Sequence, residues 1–253
     1  MPPLDGRIAL VTGAGSGIGR ARIGRATAIR LAADGAAVGC LGLGEEALAS
    51  VAEEIRAAGG LAIPLLADVT DRSAVERAVE TASIELGRIG IVVNNAGIPG
   101  AGRFVDVRFE DWQRVIDVHV TGAFHMTQAV LPAMLEDGWG RIVNIASEAV
   151  WLGQTSVQYA TAKAALVGFT RSLARQVAGS GVLVNAVAPG PVETPMLLDN
   201  TPAEIEAERA TVLIGRFLSP EEIAASIAFL AGPGGDAFVG QVLSPNGGTV
   251  FPG

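Results

Sequence analysis

Short runs of consecutive apolar residues alternate along the chain with longer segments of helical period. Runs of this kind suit strands buried on both faces, and the segments between them suit crossover helices. The alternation therefore predicts a parallel sheet covered by helices on both sides. The apolar runs place strands at 7–12, 36–41, 61–66, 89–93, 140–146, 182–187 and 241–244. Helices are expected near 23–34, 45–58, 71–86, 110–136, 157–178 and 220–231. Pro189, Gly190, Pro191 and Pro195 follow a strand end, where turn chemistry belongs. No linker or low-complexity tract divides the chain, so the expectation is one α/β domain over 1–253, a doubly wound parallel sheet of about seven strands.

Composition narrows the functional classes. With 253 residues, 49% apolar and 17% charged, the chain can bury one large core. No stretch approaches the roughly 18 to 20 uninterrupted apolar residues of a membrane span, and MPPLDGRIALVTG lacks the basic segment and cleavage site of a signal peptide. A soluble, cytoplasmic protein without a membrane partner is expected. The single cysteine, Cys40, permits no internal disulfide and no cysteine-based metal cage, and reads as a small apolar strand residue. A net charge of −8 with no offsetting run of Lys and Arg argues against nucleic acid as a partner.

The first turn carries the first chemical signal. Ile8 to Val11 form an apolar strand, and Thr12, Gly13, Gly17 and Gly19 follow where that strand must turn into a helix. Glycines there let backbone amides approach a pyrophosphate, and a helix N-terminus adds partial positive charge. Farther on, Tyr159 and Lys163 stand four apart in a helical stretch and share a face. A nearby ammonium favours phenolate and would lower the tyrosine from its usual value of about 10, making Tyr159 a candidate general acid/base. Ser147, at the end of the strand Arg141 to Ala146, can polarise a carbonyl beside the phenol. Taken alone, the same residues fit a solvated helix face and a turn serine.

Read in order, these motifs resemble the classical short-chain dehydrogenases/reductases, from Gly6 to the C-terminus. The resemblance rests on Thr12-Gly13-Ala14-Gly15-Ser16-Gly17-Ile18-Gly19, Asp68-Val69, Asn94-Asn95-Ala96-Gly97, Ser147, Tyr159 with Lys163, and Pro189-Gly190-Pro191-Val192-Glu193-Thr194. It implies a Rossmann-like sheet with the site at the carboxyl edge of the strands, and NAD or NADP as cofactor. The implied reaction is hydride exchange between a secondary alcohol or ketone and the nicotinamide. Tyr159 shuttles the proton, with Ser147 beside it, and Lys163 also holds the nicotinamide ribose. Gly13, Ser16, Gly17, Ile18 and Gly19 are expected at the pyrophosphate, Asp68 and Val69 at the adenine, and Asn95, Ala96 and Gly97 beneath the adenine ribose. Pro189, Gly190, Val192 and Thr194 are expected at the nicotinamide, with Val192 and Thr194 on its carboxamide. No metal is implied.

Three departures from the family pattern stand out. Where the family usually places an asparagine holding a water behind the lysine, this chain has His119, which could relay protons near neutrality or serve as a satisfied core histidine. Where an acidic residue would hold the adenosine ribose of NAD, the second strand ends in Cys40-Leu41-Gly42-Leu43-Gly44. Gly42 removes the repulsion against a 2′-phosphate, but only Arg20, Arg22 or Arg25 could attract one, so the choice between NAD and NADP stays open. The third departure is a stutter, IGRAR at Ile18–Arg22 followed by IGRAT at Ile23–Thr27. It lengthens Gly13 to Gly42 to 29 positions, five more than the roughly 24 of the family spacing. Five extra residues in a continuous helix would add about 7.5 Å and rotate the rest of that helix by roughly 140°. Since Ile29, Leu31 and Ala32 must still face the sheet, a local bulge near 18–26 is expected, and either copy could seat the helix.

The segment Glu148 to Gln158, with Trp151 and Leu152, is expected as one wall of the substrate site, and a lid is expected over about 194–215. Their apolar side chains suggest a hydrophobic carbonyl or alcohol substrate. The helices at 110–136 and 157–178 are apolar on more than one face, and with the resemblance they imply a homodimer or homotetramer. Two functions stay open at this point. One is an NAD(P)-dependent alcohol dehydrogenase or ketoreductase, and the other a cofactor-impaired binding or scaffold protein of the same fold.

Overall fold

The computed structural model describes residues 2–15, 23–153, 155–194 and 201–252. Each of the seven apolar runs forms a strand: β1 (Ile8–Thr12), β2 (Ala37–Gly42), β3 (Ala62–Leu66), β4 (Ile91–Asn94), β5 (Gly140–Ile145), β6 (Val182–Val187) and β7 (Val242–Leu243). They pair in parallel in the order β3-β2-β1-β4-β5-β6-β7. The chain crosses outward on one side of β1 and then returns to start outward on the other. The reversal between β1 and β4 opens a crevice at the carboxyl ends of the strands, the place where open α/β sheets bind ligands.

Burial explains why the runs read as continuous rather than alternating. In β1, Ala9 and Val11 pack into one core with Ala28, Leu31, Leu48, Val51, Ile223 and Ile227, while Ile8 and Leu10 pack into a second with Val75, Ala78, Met126, Val130 and Ala174. Alternate strand residues thus serve opposite faces, and both faces are dry. The first core is closed by α1 (Ile23–Ala33), α2 (Glu45–Ala57) and a late helix at Pro220–Ala231; the second by α3 (Arg72–Glu85), a helix at Gly122–Asp137 and another at Val157–Val177. Cys40 is buried in β2, where desolvation pushes its thiol up to about 12. Among the described residues, no helix is long and apolar enough to cross a membrane, and no cluster of His, Cys, Asp and Glu could hold a metal ion.

The structure departs from the predicted elements at the site itself. The single helix expected over 110–136 is divided into α4 (Phe109–Ile116), a π-helical turn at Asp117–Thr121 and α5 (Gly122–Asp137). Asp117 accepts hydrogen bonds from Gln113 Nε2 at 2.8 Å and Thr121 Oγ1 at 3.3 Å, bracketing the wide turn that carries His119. A wide turn inserts a residue into an otherwise regular helix, a feature apolar periodicity cannot register. A short helix α6 (Ala149–Leu152) follows Ser147, ahead of α7 (Val157–Val177). Within the expected lid lies α8 (Pro202–Arg209), begun by a reciprocal Thr201–Glu204 capping box, with α9 (Pro220–Ala231) capped likewise by Ser219 and Glu222.

Of the two copies in the stutter, the second lies among the described residues and is helical. Helix α1 runs over Ile23–Ala33, so residues 23–26 are helical rather than part of a bulge. The remaining bulge residues, 18–22, lie outside the described residues, as do the expected cofactor residues Ser16, Gly17, Ile18 and Gly19 together with Arg20 and Arg22. Gly24 is the buried pivot of the seat: a Cβ there would lie 2.4 Å from the Gly13 carbonyl oxygen and 2.5 Å from Asn95 Nδ2. The Gly13 oxygen is backbone and cannot swing away, so Gly24→Ala should destabilise the protein by about 1–3 kcal/mol. Gly168, on an open face of α7, has nothing within 4 Å of its virtual Cβ, so Gly168→Ala should gain up to about 1 kcal/mol from helix propensity. Thermal unfolding should therefore move in opposite directions for the two variants; a Gly24→Ala protein melting at or above the parent temperature contradicts this seat.

Candidate active site

The carboxyl ends of the strands surround one cavity of about 1050 Å³. Its construction begins with Thr12, the last residue of β1. The buried Thr12 hydroxyl accepts from the amides of Asn95 at 2.9 Å and Ala96 at 2.8 Å, and it lies 3.3 Å from the Val93 carbonyl, to which it donates. Asn95 Nδ2 returns a bond of 2.8 Å to the Thr12 carbonyl. These bonds hold the turn after β4 against the turn after β1. A second polar chain lies behind it: Asn94 Nδ2 donates to Thr127 Oγ1 and Asn144 Oδ1, and Asn144 Nδ2 donates to Thr170 Oγ1, at 3.1, 2.8 and 2.9 Å. This buried chain joins α5, β4, β5 and α7.

At the end next to the first turn, Gly13, Gly15, Ile23 and Gly24 line the cavity beside Asp68, Val69, Asn95, Ala96 and Gly97. A Cβ on Gly13 would come within 2.9 Å of Asn95 Nδ2, and Gly13 holds a φ of +69°. The crowding at Gly13 and Gly24 leaves a side-chain-free cradle, which fits the close backbone approach that a pyrophosphate requires. Asp68 Oδ1 accepts from Thr70 N at 2.9 Å and Thr70 Oγ1 at 2.8 Å, which orients the carboxylate and leaves its second oxygen free of these bonds. Gly42 and Leu43 also line this end. A Cβ at Gly42 would meet Leu48 Cδ2 at an ordinary 3.6 Å. Arg25, one of the cations considered for a 2′-phosphate, is instead paired with Glu54 on α2. Arg114 lines the cavity at this end, a residue the sequence reading did not select.

At the other end, Ser147, Tyr159, Lys163 and His119 line the same cavity, with Pro189, Gly190, Val192 and Thr194 opposite. Lys163 is buried and its Nζ donates to the Ile145 carbonyl at 2.6 Å, lying 5.5 Å from the Tyr159 ring centre. Desolvation pushes Lys163 down to about 7. Tyr159 differs from expectation: burial raises its phenol, and the hydrogen bond with Ser147 only partly opposes the rise. The lysine does not depress the phenol because burial drives both groups toward their neutral forms. Ser147 Oγ also accepts from the Ala149 amide at 3.2 Å, which anchors the hydroxyl at the start of α6.

Of the two expectations for His119, its surroundings fit the core histidine rather than the relay. Its Nε2 lies 3.0 Å from the Ile98 amide nitrogen and 2.9 Å from the Ile98 carbonyl oxygen, and its ring meets Tyr159 edge-on at 5.5 Å. Burial foremost, and then the Lys163 charge, push the imidazole down to about 3, so it stays neutral and does not titrate near neutrality. Its Nδ1 is buried without a protein partner. Gly97 is required by this ring, since a Cβ there would sit 2.5 Å from His119 Cε1. The sequence reading missed Gly24, whose only signal was that the repeat offered two equivalent helix starts. It also missed Glu208, which faces the cavity from α8.

Comparison with known proteins agrees with this geometry. A model of the short chain dehydrogenase family matches residues 7–205. The chain is 38% identical over 249 residues to the 3-oxoacyl-acyl-carrier-protein reductase FabG of Thermotoga maritima, covering 98% of this chain and 99% of the relative. It is 40% identical over 255 residues to the 3-oxoacyl-acyl-carrier-protein reductase of a Synechocystis species, covering 99% of this chain and 100% of the relative. Among solved structures, a variant of a Serratia marcescens short-chain dehydrogenase/reductase superposes with a TM-score of 0.90 at 36% identity, over 98% of this chain and 99% of the other. With the family's sheet order, its glycine cradle and its serine, tyrosine and lysine gathered at one cavity, the chain belongs to the short-chain dehydrogenase/reductase family and is an oxidoreductase that works with NAD or NADP.

Proposed function

We propose that the protein interconverts a ketone and a secondary alcohol, with Tyr159 as the general acid/base. The observation that carries this reading is the placement of Ser147, Tyr159 and Lys163 at one end of a cavity whose other end is the Gly13–Gly24 cradle. Bound there, the nicotinamide cofactor supplies or accepts the hydride. The protein's own residues do the rest. Ser147 and Tyr159 hold the substrate oxygen, and the phenol, kept protonated by burial, donates its proton as the carbonyl is reduced. Lys163 lies beneath the ring to hold the nicotinamide ribose and return a proton to the phenol. Neutral His119 fixes the loop at Ile98 and packs edge-on against Tyr159. Asp68 and Val69 take the adenine, Asn95, Ala96 and Gly97 its ribose, and Gly190, Val192 and Thr194 the nicotinamide side. Gly24 takes the place at the pyrophosphate that the sequence reading gave to Gly19. An intact cradle at Gly24 is also what favours catalysis over a cofactor-impaired scaffold.

Oxidation of NADPH or NADH in the presence of a simple ketone tests the reading directly. Tyr159→Phe should lower turnover by about 10² to 10⁴-fold while leaving cofactor affinity nearly unchanged; turnover within a few-fold of the parent removes Tyr159 from the mechanism. Gly42→Asp, for which the backbone has ordinary contact room, should place a carboxylate beside the adenosine ribose. A charge-assisted hydrogen bond of about 1.5–3 kcal/mol should then shift the NAD/NADP ratio of kcat/KM toward NAD by at least tenfold. An unchanged ratio would place the ribose elsewhere.

Burial of Lys163 also predicts a pH dependence of stability. Between about 7, its value in the fold, and its usual 10.5, the unfolded chain binds the lysine proton and the folded protein does not. Stability from this group therefore rises with pH across that window. Relative to Lys163→Met, the cofactor-free parent should gain on the order of a few kcal/mol from pH 7 to 10.5, read by denaturant unfolding of both proteins. A gap between the two that does not change with pH would mean that Lys163 remains charged in the fold.

A further inference from the structure

The substrate end of the cavity carries a charge pattern that hydride and proton transfer do not use. Glu148 follows Ser147 directly at the start of α6, and Glu208 stands in the last turn of α8. Both are half-buried and both line the cavity, together with Ala149, Leu152 and Thr155. Thr249, from the C-terminal segment, donates its hydroxyl to the Glu148 carboxylate. Glu148 is therefore held in place by a part of the chain far away in sequence, rather than left to swing into solvent. Burial raises both carboxyls; at Glu148 the Thr249 hydrogen bond opposes the rise and the Glu208 charge adds to it.

Among the described residues, neither carboxylate has an ion-pair partner. Arg209 is paired with Glu206 and lies over the Phe217 ring, and Arg216 is paired with Glu222. Among the described residues lining the cavity, the cationic side chains are Lys163, buried beneath Tyr159, and Arg114, at the Asp68–Thr70 end. A ligand carboxylate brought in beside Ser147 would meet two like charges in a partly desolvated setting, whereas an ammonium would gain charge-assisted hydrogen bonds. We propose that Glu148 and Glu208 make the site select ketones that carry a cationic amine close to the carbonyl and reject ketones that carry a carboxylate there. This rests on the ketoreductase reading above, whose chemistry it narrows to a substrate class.

Three ketones sharing an acetonyl group separate charge from shape: dimethylaminoacetone as the cation, isobutyl methyl ketone as its neutral isostere, and acetoacetate as the anion. With NADPH and NADH each offered at saturation, kcat/KM should fall in that order, by about tenfold between neighbours. In Glu208→Gln, and separately in Glu148→Gln, the ratio of cation to anion should shrink at least fivefold. Among the described residues the Glu208 carboxylate makes no hydrogen bond, its backbone carbonyl accepting from Thr211, and the parent's ranking of the three ketones requires no variant at all. Reduction of acetoacetate as fast as the neutral ketone, or a cation-to-anion ratio untouched in both variants, overturns the selectivity while leaving ketone reduction standing. Failure to reduce any of the three with either cofactor overturns the ketoreductase reading, and this inference with it.

Discussion

The hydroxyl of Thr12 is the constraint on which the rest of the site depends. It lies at the end of β1, beside the reversal of strand order, and binds the two amides that begin the turn after β4. Without that bridge the two turns flanking the crevice would be free to part, since β1 and β4 pair only through Ala9, Leu10 and Val11. With it, Asn95 is drawn against Gly13 and Gly24, and the same contacts that crowd out a Cβ produce the bare backbone a dinucleotide needs. The close approach of three chain segments is thus a packing requirement and a binding surface at once.

Burial governs the chemistry at the opposite end. Desolvation acts on Tyr159, Lys163 and His119 in the same direction, toward the uncharged form of each. A protonated phenol beside a lysine near its midpoint at neutral pH suits donation to a carbonyl oxygen better than a preformed phenolate would. The π-helical turn is what brings His119 into this group, by widening the helix so that the imidazole reaches Ile98 and the edge of Tyr159. Gly97 then has to be glycine because the larger ring takes the space beside it. A change of residue type at one helix position therefore propagates into the loop after β4.

The sheet is regular on both sides of β1 despite the lengthened sequence of the first turn. Ala28 and Leu31 are fully buried and set the rotation of α1, so the helix takes whichever copy of the repeat lets those residues face β1. The second copy, from Ile23, is helical and lets them do so. The cofactor cradle keeps its glycine because both copies carry one at the same place in the repeat.

Apolar periodicity by itself determined the seven strands, the helices between them and the parallel arrangement, because buried strands and crossover helices impose different repeats on the chain. The order of motifs determined the family, and the spacing of Tyr159 and Lys163 placed them on one face of a helix. Other features depended on the tertiary structure. The close approach of Gly24 to Gly13, residues eleven positions apart, is one that no local pattern encodes. The break at Asp117–Thr121 adds no turn residue and no proline, so it left no mark on the helical period. The protonation of Tyr159, Lys163 and His119 reversed the local expectation, since charge proximity can be read from spacing but desolvation cannot. Glu148 and Glu208 lie sixty positions apart, and only the tertiary structure brought them to the lining of one cavity, with Thr249 holding Glu148.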